Sequence, residues 1–268
     1  MSPALRWHPD WLVPTWQAAS EVGALMTTRH GGVSVSPFDS MNIRGGLGDD
    51  ATAVQGNQDR LARSIGATPV YLNQVHGVQV VRLTRADAAP GAPTHTADAC
   101  LTTEPGIACT AQVADCLPLL FAAPGAVAAA HAGWRGLAGG VVEATLAALC
   151  DAAACEPVDV QVWLGACIGP RQFEVGADVL SAFGANLSSA FGADPAQPDP
   201  ARFTPRVQPG PPKWLANLPQ LARDRLQAAG VVHMSGGEAC TVEDASRFFS
   251  YRRDGVTGRM VAVVWRRG

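Results

Sequence analysis

The chain has 268 residues and a formal net charge of −3, with 47% hydrophobic and 16% charged residues. That composition can bury a sizeable core and excludes a disordered chain. No run of Lys or Arg exceeds two residues, so the electrostatic footprint of a nucleic-acid binder is missing, although single arginines can still hold a small anionic substrate.

The lead-in, residues 1–21, places Trp7, Trp11 and Trp16 against the body. Its first residues lack the basic start and apolar run of a secretion signal. Residues 22–28 (VGALMTT) read as a strand running into the loop Arg29-His30-Gly31-Gly32. Residues 50–65 carry Val54, Leu61 and Ile65 at helical spacing and stop at Gly66, a C-cap. Short apolar runs at 69–72, 79–83, 107–113, 117–122 and 126–130 are bounded by Gly, Pro or Asp and read as strands. The apolar stretch 119–132 is too short to span a bilayer, so no membrane partner is expected.

A helix is expected over 137–149, a strand over 158–164 and a helix over 175–183. Residues 184–212, rich in Pro, Ala, Asp and Gly, read as a surface excursion. Residues 215–229 form an amphipathic helix closed by Gly230. Late strands follow at 231–233 and 260–265, the second after a turn at Asp254-Gly255. Strands and helices mix without regular alternation. The expectation is an α+β fold, mixed β-sheets flanked by helices, in a single domain over 1–268. Seven cysteines, an odd number without small-domain spacing, read as reduced thiols of a cytoplasmic protein.

Three segments carry metal-capable side chains at strand ends or turns: Asn73-Gln74-Val75-His76-Gly77, Ala114-Asp115-Cys116-Leu117-Pro118 and His131-Ala132-Gly133-Trp134-Arg135-Gly136. Imidazole and thiolate suit zinc, and two His with one Cys leave a fourth tetrahedral position open, as catalytic sites do. Singly, each has a plain structural explanation. His76 suits a turn, Cys116 a small buried apolar position, and His131 a satisfied core histidine.

Together with Thr27-Thr28-Arg29-His30-Gly31-Gly32, Ile168-Gly169-Pro170 and Ser250-Tyr251-Arg252-Arg253-Asp254, these segments resemble the YfiH family. Its members have been called laccase-domain proteins, polyphenol oxidases, purine nucleoside phosphorylases and a peptidoglycan editing factor. The resemblance runs from about Val22 to Val264. It implies a mixed α+β fold and a zinc site of His76, Cys116 and His131. It also implies phosphorolysis of adenosine, inosine, guanosine and methylthioadenosine, with deamination of adenosine. Where many members carry cysteine after Ile168-Gly169-Pro170, this chain has Arg171-Gln172, which bears on packing or a substrate contact rather than the metal set.

In that reading zinc lowers the pKa of water to about 7 and makes hydroxide available for attack at purine C6. Asp115 or His30 could carry the proton, and Asp115 could instead orient His76 or His131. Arg29 and Arg135 are the expected phosphate contacts, ahead of Arg44 and Arg171. Asn42, then Asn73 and Gln74, are the expected contacts to ribose or base, or else they fix turns. The expected partners are therefore a small-molecule nucleoside and inorganic phosphate.

Three competitors use the same residues differently. A copper polyphenol oxidase needs many imidazoles, and the chain has six His with no His-x-His pair. A cysteine hydrolase, such as an amidase editing peptidoglycan precursors, would take Cys116 as nucleophile and His131 or His76 as base. A binding module would show ligand affinity and no turnover.

Overall fold

Alternation along the apolar runs sets the layering. The structure, a computed structural model, describes residues 7–187, 199–207 and 209–268. Strands β1 (Val22–Met26), β2 (Thr68–Val70), β5 (Ile107–Val113) and β13 (Met260–Arg266) form a four-stranded sheet in the order β1-β13-β5-β2. A six-stranded sheet runs β12-β8-β6-β7-β4-β3. Its members are β3 (Val80–Arg82), β4 (Ala99–Thr102), β6 (Leu117–Ala123), β7 (Ala126–Ala132), β8 (Gln161–Leu164) and β12 (His233–Gly236).

The two sheets pack face to face. Leu120, Val127 and Ala129 of the larger sheet share one core with Cys109, Met260 and Ala262 of the smaller. Residues one position out of phase point the other way, as a period of two requires. Leu119, Phe121, Ala128 and Ala130 pack on helices α2 (Trp134–Gly139), α3 (Val141–Ala153) and α5 (Leu218–Ala228). On the far side, Leu25, Val261 and Val263 pack on Leu61 and Ile65 of α1 (Ala51–Ile65) and on Trp11 of the lead-in. The result is an α+β stack with helices outside two mixed sheets.

Local chemistry explains most boundaries. Asp50 caps α1, its side chain accepting from Ala53 N at 2.8 Å, and Gly66 ends it at φ 66°. The helix expected over 137–149 is two helices, because Gly140 at φ 102° closes α2 and opens α3. The expected strand 158–164 starts with a 3₁₀ turn, Pro157–Asp159, before β8. The expected helix 175–183 is preceded by the short strand β9 (Glu174–Val175) and runs as α4, Ala177–Leu187.

The segment 184–212 differs most from expectation. Residues 188–198 and 208 lie outside the described residues. Within the rest, β10 (Phe203–Arg206) pairs with β11 (Lys213–Ala216), which pairs with β9 to make a third sheet. Pro205 is tolerated because β10 is an edge strand. Phe203 is buried beside Phe183, with ring centroids 6.0 Å apart. Leu215 therefore belongs to β11, and α5 begins later, with Asn217 accepting from Gln220 N. Among the described residues no helix is long and apolar enough to cross a membrane.

Leu120 is fully buried between the two sheets. Leu120→Ala should lower the unfolding free energy by about 2–5 kcal/mol, lost transfer and cavity terms adding. Urea denaturation followed by circular dichroism checks this, and a loss under 1 kcal/mol (about the Ile→Val range) would refute the packing assigned to the interface.

Candidate metal centre

Three chain segments meet where the two sheets end. His131 lies near the end of β7, on the same face as Val127 and Ala129, which look toward the smaller sheet. Cys116 directly precedes β6, whose register pairs Leu117 with Ala132, and so it enters beside the end of β7. Asp115, at φ 101°, makes the bend before it. His76 comes from the loop between β2 and β3 and also has a positive φ, 62°.

One carboxylate assembles the set. Asp98 is fully buried. It accepts from the backbone N–H groups of Val75 (3.1 Å), His76 (2.8 Å) and Gly77 (2.7 Å), and from His131 Nδ1 (2.8 Å). Its own carbonyl accepts from His131 N at 2.7 Å. Burial alone would raise the Asp98 pKa. The His131 bond and the amides of Gly77 and Val75 outweigh it and hold the carboxyl below its usual range. With Nδ1 directed to Asp98, His131 turns Nε2 toward the site, where it offers a lone pair once its second proton has left.

The thiol is tuned by the same groups. Burial pushes the Cys116 pKa up, but the charge of His131 and hydrogen bonds from His131 and His76 bring it down to about 6. Burial pushes His131 down, and Cys116 and Asp98 raise it to about 9. Cys116 Sγ lies 3.6 Å from His76 Nε2. The two imidazole rings meet edge-on at 4.8 Å. One donor atom from each of His76, Cys116 and His131 falls within 4.8 Å of the others.

The donor set fits zinc. Two imidazoles and an ionised thiol supply three ligands and leave one position open. Gly133 keeps the space clear, since a Cβ there would stand 2.6 Å from His76 Cδ2 and 3.0 Å from Cys116 Sγ. Gly136 is also required, because a Cβ would meet the Gly77 carbonyl at 2.8 Å.

These ligands line a cavity of about 500 Å³, within the range of small-molecule sites. Its walls include Asp115, the aromatic rings of Trp134, Phe173 and Tyr251, the amides of Gln74 and Gln112, and Arg44, Arg252 and Arg259. Asp115 is hydrogen-bonded to neither histidine. Its oxygens accept from Thr241 Oγ1 and Arg252 N, both at 2.6 Å.

Other residues singled out in the sequence stand elsewhere. Arg29 bonds the Asp39 carbonyl and carboxylate and the Ala245 carbonyl. Arg135 is exposed and lies over the Trp134 ring at 4.3 Å. Neither lines the cavity. His30 pairs with Asp10 at 2.8 Å, and Arg171 pairs with Glu243. Asn42 is fully buried and bonds Arg44, Asp49 and Arg259. Asn73 bonds Thr96. Gln74 clamps the His76 loop to β5 through two 2.8 Å bonds with Gln112.

Sequence reasoning missed Asp98 and Arg259. The signal for Asp98 was a lone acid in the apolar run Ala97-Asp98-Ala99-Cys100, since a buried carboxylate demands donors.

Residues 23–267 match the family described as multi-copper polyphenol oxidoreductase laccase. A purine nucleoside phosphorylase of Pseudomonas aeruginosa is 46% identical over 262 residues, covering 95% of this chain and 98% of the relative. The purine nucleoside phosphorylase YfiH of Escherichia coli is 42% identical over 261 residues, covering 95% and 98%. The crystal structure of YlmD from Geobacillus stearothermophilus matches with a TM-score of 0.86 at 34% identity, covering 99% of this chain and 100% of that one. A Neisseria meningitidis protein matches at 0.85 and 41% identity, covering 97% and 100%.

Asp98→Asn would place an amide NH₂ against backbone N–H donors and weaken the hold on His131. The expected result is about 10–100-fold weaker metal affinity in a protein that keeps its circular dichroism spectrum, read by competition with a chromophoric chelator. Unchanged affinity would remove Asp98 from its organising role.

Proposed function

The chain belongs to this laccase-domain (YfiH) family, and on that premise we propose that it is a zinc-dependent purine nucleoside enzyme. Its reactions are phosphorolysis of adenosine, inosine, guanosine and methylthioadenosine, and deamination of adenosine. The observation that carries the proposal is the His76–Cys116–His131 cluster set in a nucleoside-sized cavity that also offers aromatic and cationic walls. The names of the Pseudomonas and Escherichia relatives point to purine nucleoside phosphorolysis.

His76, Cys116 and His131 would hold the metal. Zinc so held would supply Lewis acidity and would lower the pKa of water at the site. The rings of Trp134, Phe173 and Tyr251 offer apolar faces for a purine. Asp115 is the carboxylate of the lining, and it moves the proton that the leaving base or ammonia needs. In phosphorolysis the bond from C1′ to the base nitrogen breaks, a bond from C1′ to a phosphate oxygen forms, and the base takes up the proton. Arg29 and Arg135 act outside the cavity, Arg29 by tying the 39 and 245 loops together. Seven cysteines without a disulfide support a reducing, cytoplasmic setting. The partners are a small nucleoside and inorganic phosphate, with no role for nucleic acid or membrane.

A second reading draws on the Cys116–His131 electrostatics. A thiol brought down to about 6 beside an imidazole raised to about 9 also suits a cysteine nucleophile, as in an amidase. A multicopper oxidase has less support, because the described residues hold a single His/Cys/Asp/Glu cluster able to bind metal.

Cys116→Ala and His76→Ala should each lose bound zinc and nucleoside turnover together. Metal analysis and chromatographic separation of products, with and without phosphate, read both. Full turnover in metal-free His76→Ala protein would overturn the zinc reading. Iodoacetamide should block Cys116 only after chelation, and equal blocking without chelator would move the assignment to the cysteine hydrolase.

A further inference from the structure

We propose that Arg44 and Arg259, with Gln112 beside them, form a phosphoryl-anion site within the same cavity. The proposal rests on the nucleoside reading and deepens it, because it names where the phosphate of phosphorolysis is held.

The two arginines are fixed to each other through their backbones. Asn42 Oδ1 accepts from Arg44 N at 3.1 Å and from Arg259 N at 2.9 Å, and Asn42 Nδ2 donates to the Arg44 carbonyl at 3.0 Å. Ile43 N donates to the Arg259 carbonyl at 3.1 Å. The two cationic side chains therefore leave neighbouring points of the chain, and both reach the cavity lining.

Neither is ion-paired. Among the described residues no carboxylate forms an ion pair with Arg44 or Arg259. Asp115 and Cys116 act on Arg259 through space, but burial first and the charge of Arg44 second lower the Arg259 pKa. Arg259 Nη1 is held by the carbonyls of Thr257 and Gly258 at 2.9 and 3.0 Å, which fixes its head. The Arg44 side chain bonds to no described residue. Two guanidinium groups in one cavity wall, neither of them ion-paired, repel each other unless an anion joins them, and their planar donor forks match phosphate oxygens.

Gln112 completes the site. Val261 pairs with Gln112 across β13 and β5, so Arg259, just ahead of β13, enters the sheet diagonally from Gln112, and both residues line the cavity. Diagonal neighbours are within reach of long side chains. Gln112 is 5% exposed and lines the cavity. Its side-chain amide bonds to no described residue, so its N–H donors are available to a bound oxyanion.

The test is calorimetric titration of the zinc-loaded protein with inorganic phosphate and, separately, with adenosine 5′-monophosphate. It uses wild type, Arg44→Met and Arg259→Lys. Arg44→Met removes a side chain with no described partner and should leave the fold intact, which circular dichroism and unchanged zinc content check. The expected result is phosphate binding weakened at least tenfold in both variants. Weakening seen only with the nucleotide, on a wild type that does not bind free phosphate, supports the site with an ester as the source of the anion. Wild-type affinity for both ligands in the variants, or no wild-type affinity for either, overturns the proposal. Phosphate binding that depends on the two arginines in a protein without nucleoside turnover would support the anion site and sink the nucleoside reading.

Discussion

The site depends on one buried carboxylate and the donors that satisfy it. Asp98 has no access to solvent, and an ionised carboxylate there is tolerable only because four N–H groups point at it. Three of the four are consecutive backbone amides of the His76 loop. The electrostatic demand of Asp98 therefore winds that loop around its oxygens. A non-glycine residue at φ 62° is unfavourable in isolation, and at His76 it persists because the surrounding bonds over-determine it. The fourth donor is His131 itself, so one side chain sets the conformation of one proposed ligand and the tautomer of another.

A second buried polar hub, Asn42, stands among the arginines of the same cavity. It bonds the backbones on either side, Arg44 and Arg259, and Asn57 from α1 holds the Asn42 carbonyl at 2.8 Å. Asn57 also bonds Val33, Ser34 and Ser40, so the outer helix is tied to loops on which the cavity wall depends. Both hubs are fully buried, and their hydrogen bonds cross between segments far apart in sequence. Apolar layering supplies most of the packing, but it is nearly indifferent to a small shift of a loop. Satisfied polar hubs are not, and this is why they sit where side chains must be placed for chemistry.

The sequence carries the strands with little ambiguity where apolar runs end in Gly, Pro or Asp, as at 107–113, 117–122 and 126–130, the last two extended slightly in the structure. The α1 C-cap at Gly66 is equally plain, while Asp50, read as the first residue of the helix, is its N-cap. What escaped was non-local. The strand Ala99–Thr102 is four residues long and lies between two polar positions, so it has no room for a period to show. The strand β10 contains a proline, and only its edge position makes that acceptable. Among polar residues, motif membership gave proximity in sequence but not direction in space. Arg29 and Arg135 sit in the same segments as the expected site and point to other partners. Arg259 sits at the entry of an apolar strand, and its membership of the cavity wall follows only from the pairing of β13 with β5.

The choice between metal ligand and nucleophile can be argued from which residues each chemistry would need. Cys116, His131 and Asp98 alone make a thiol, a base and an orienting carboxylate, and a hydrolase could run on those three. Such a mechanism leaves His76 without a task. Yet His76 occupies an unfavourable backbone conformation, its loop is clamped by Asp98 and by Gln74, and Gly133 leaves no side chain in the space between it and Cys116. Those constraints bring a second imidazole within hydrogen-bonding range of the thiol, although one base is enough to activate a nucleophile. As a third ligand the same imidazole is indispensable, because two donors alone hold a divalent ion weakly. The strain at His76 follows from the Asp98 bonds in either chemistry, and what favours the metal reading is that all three donor atoms converge.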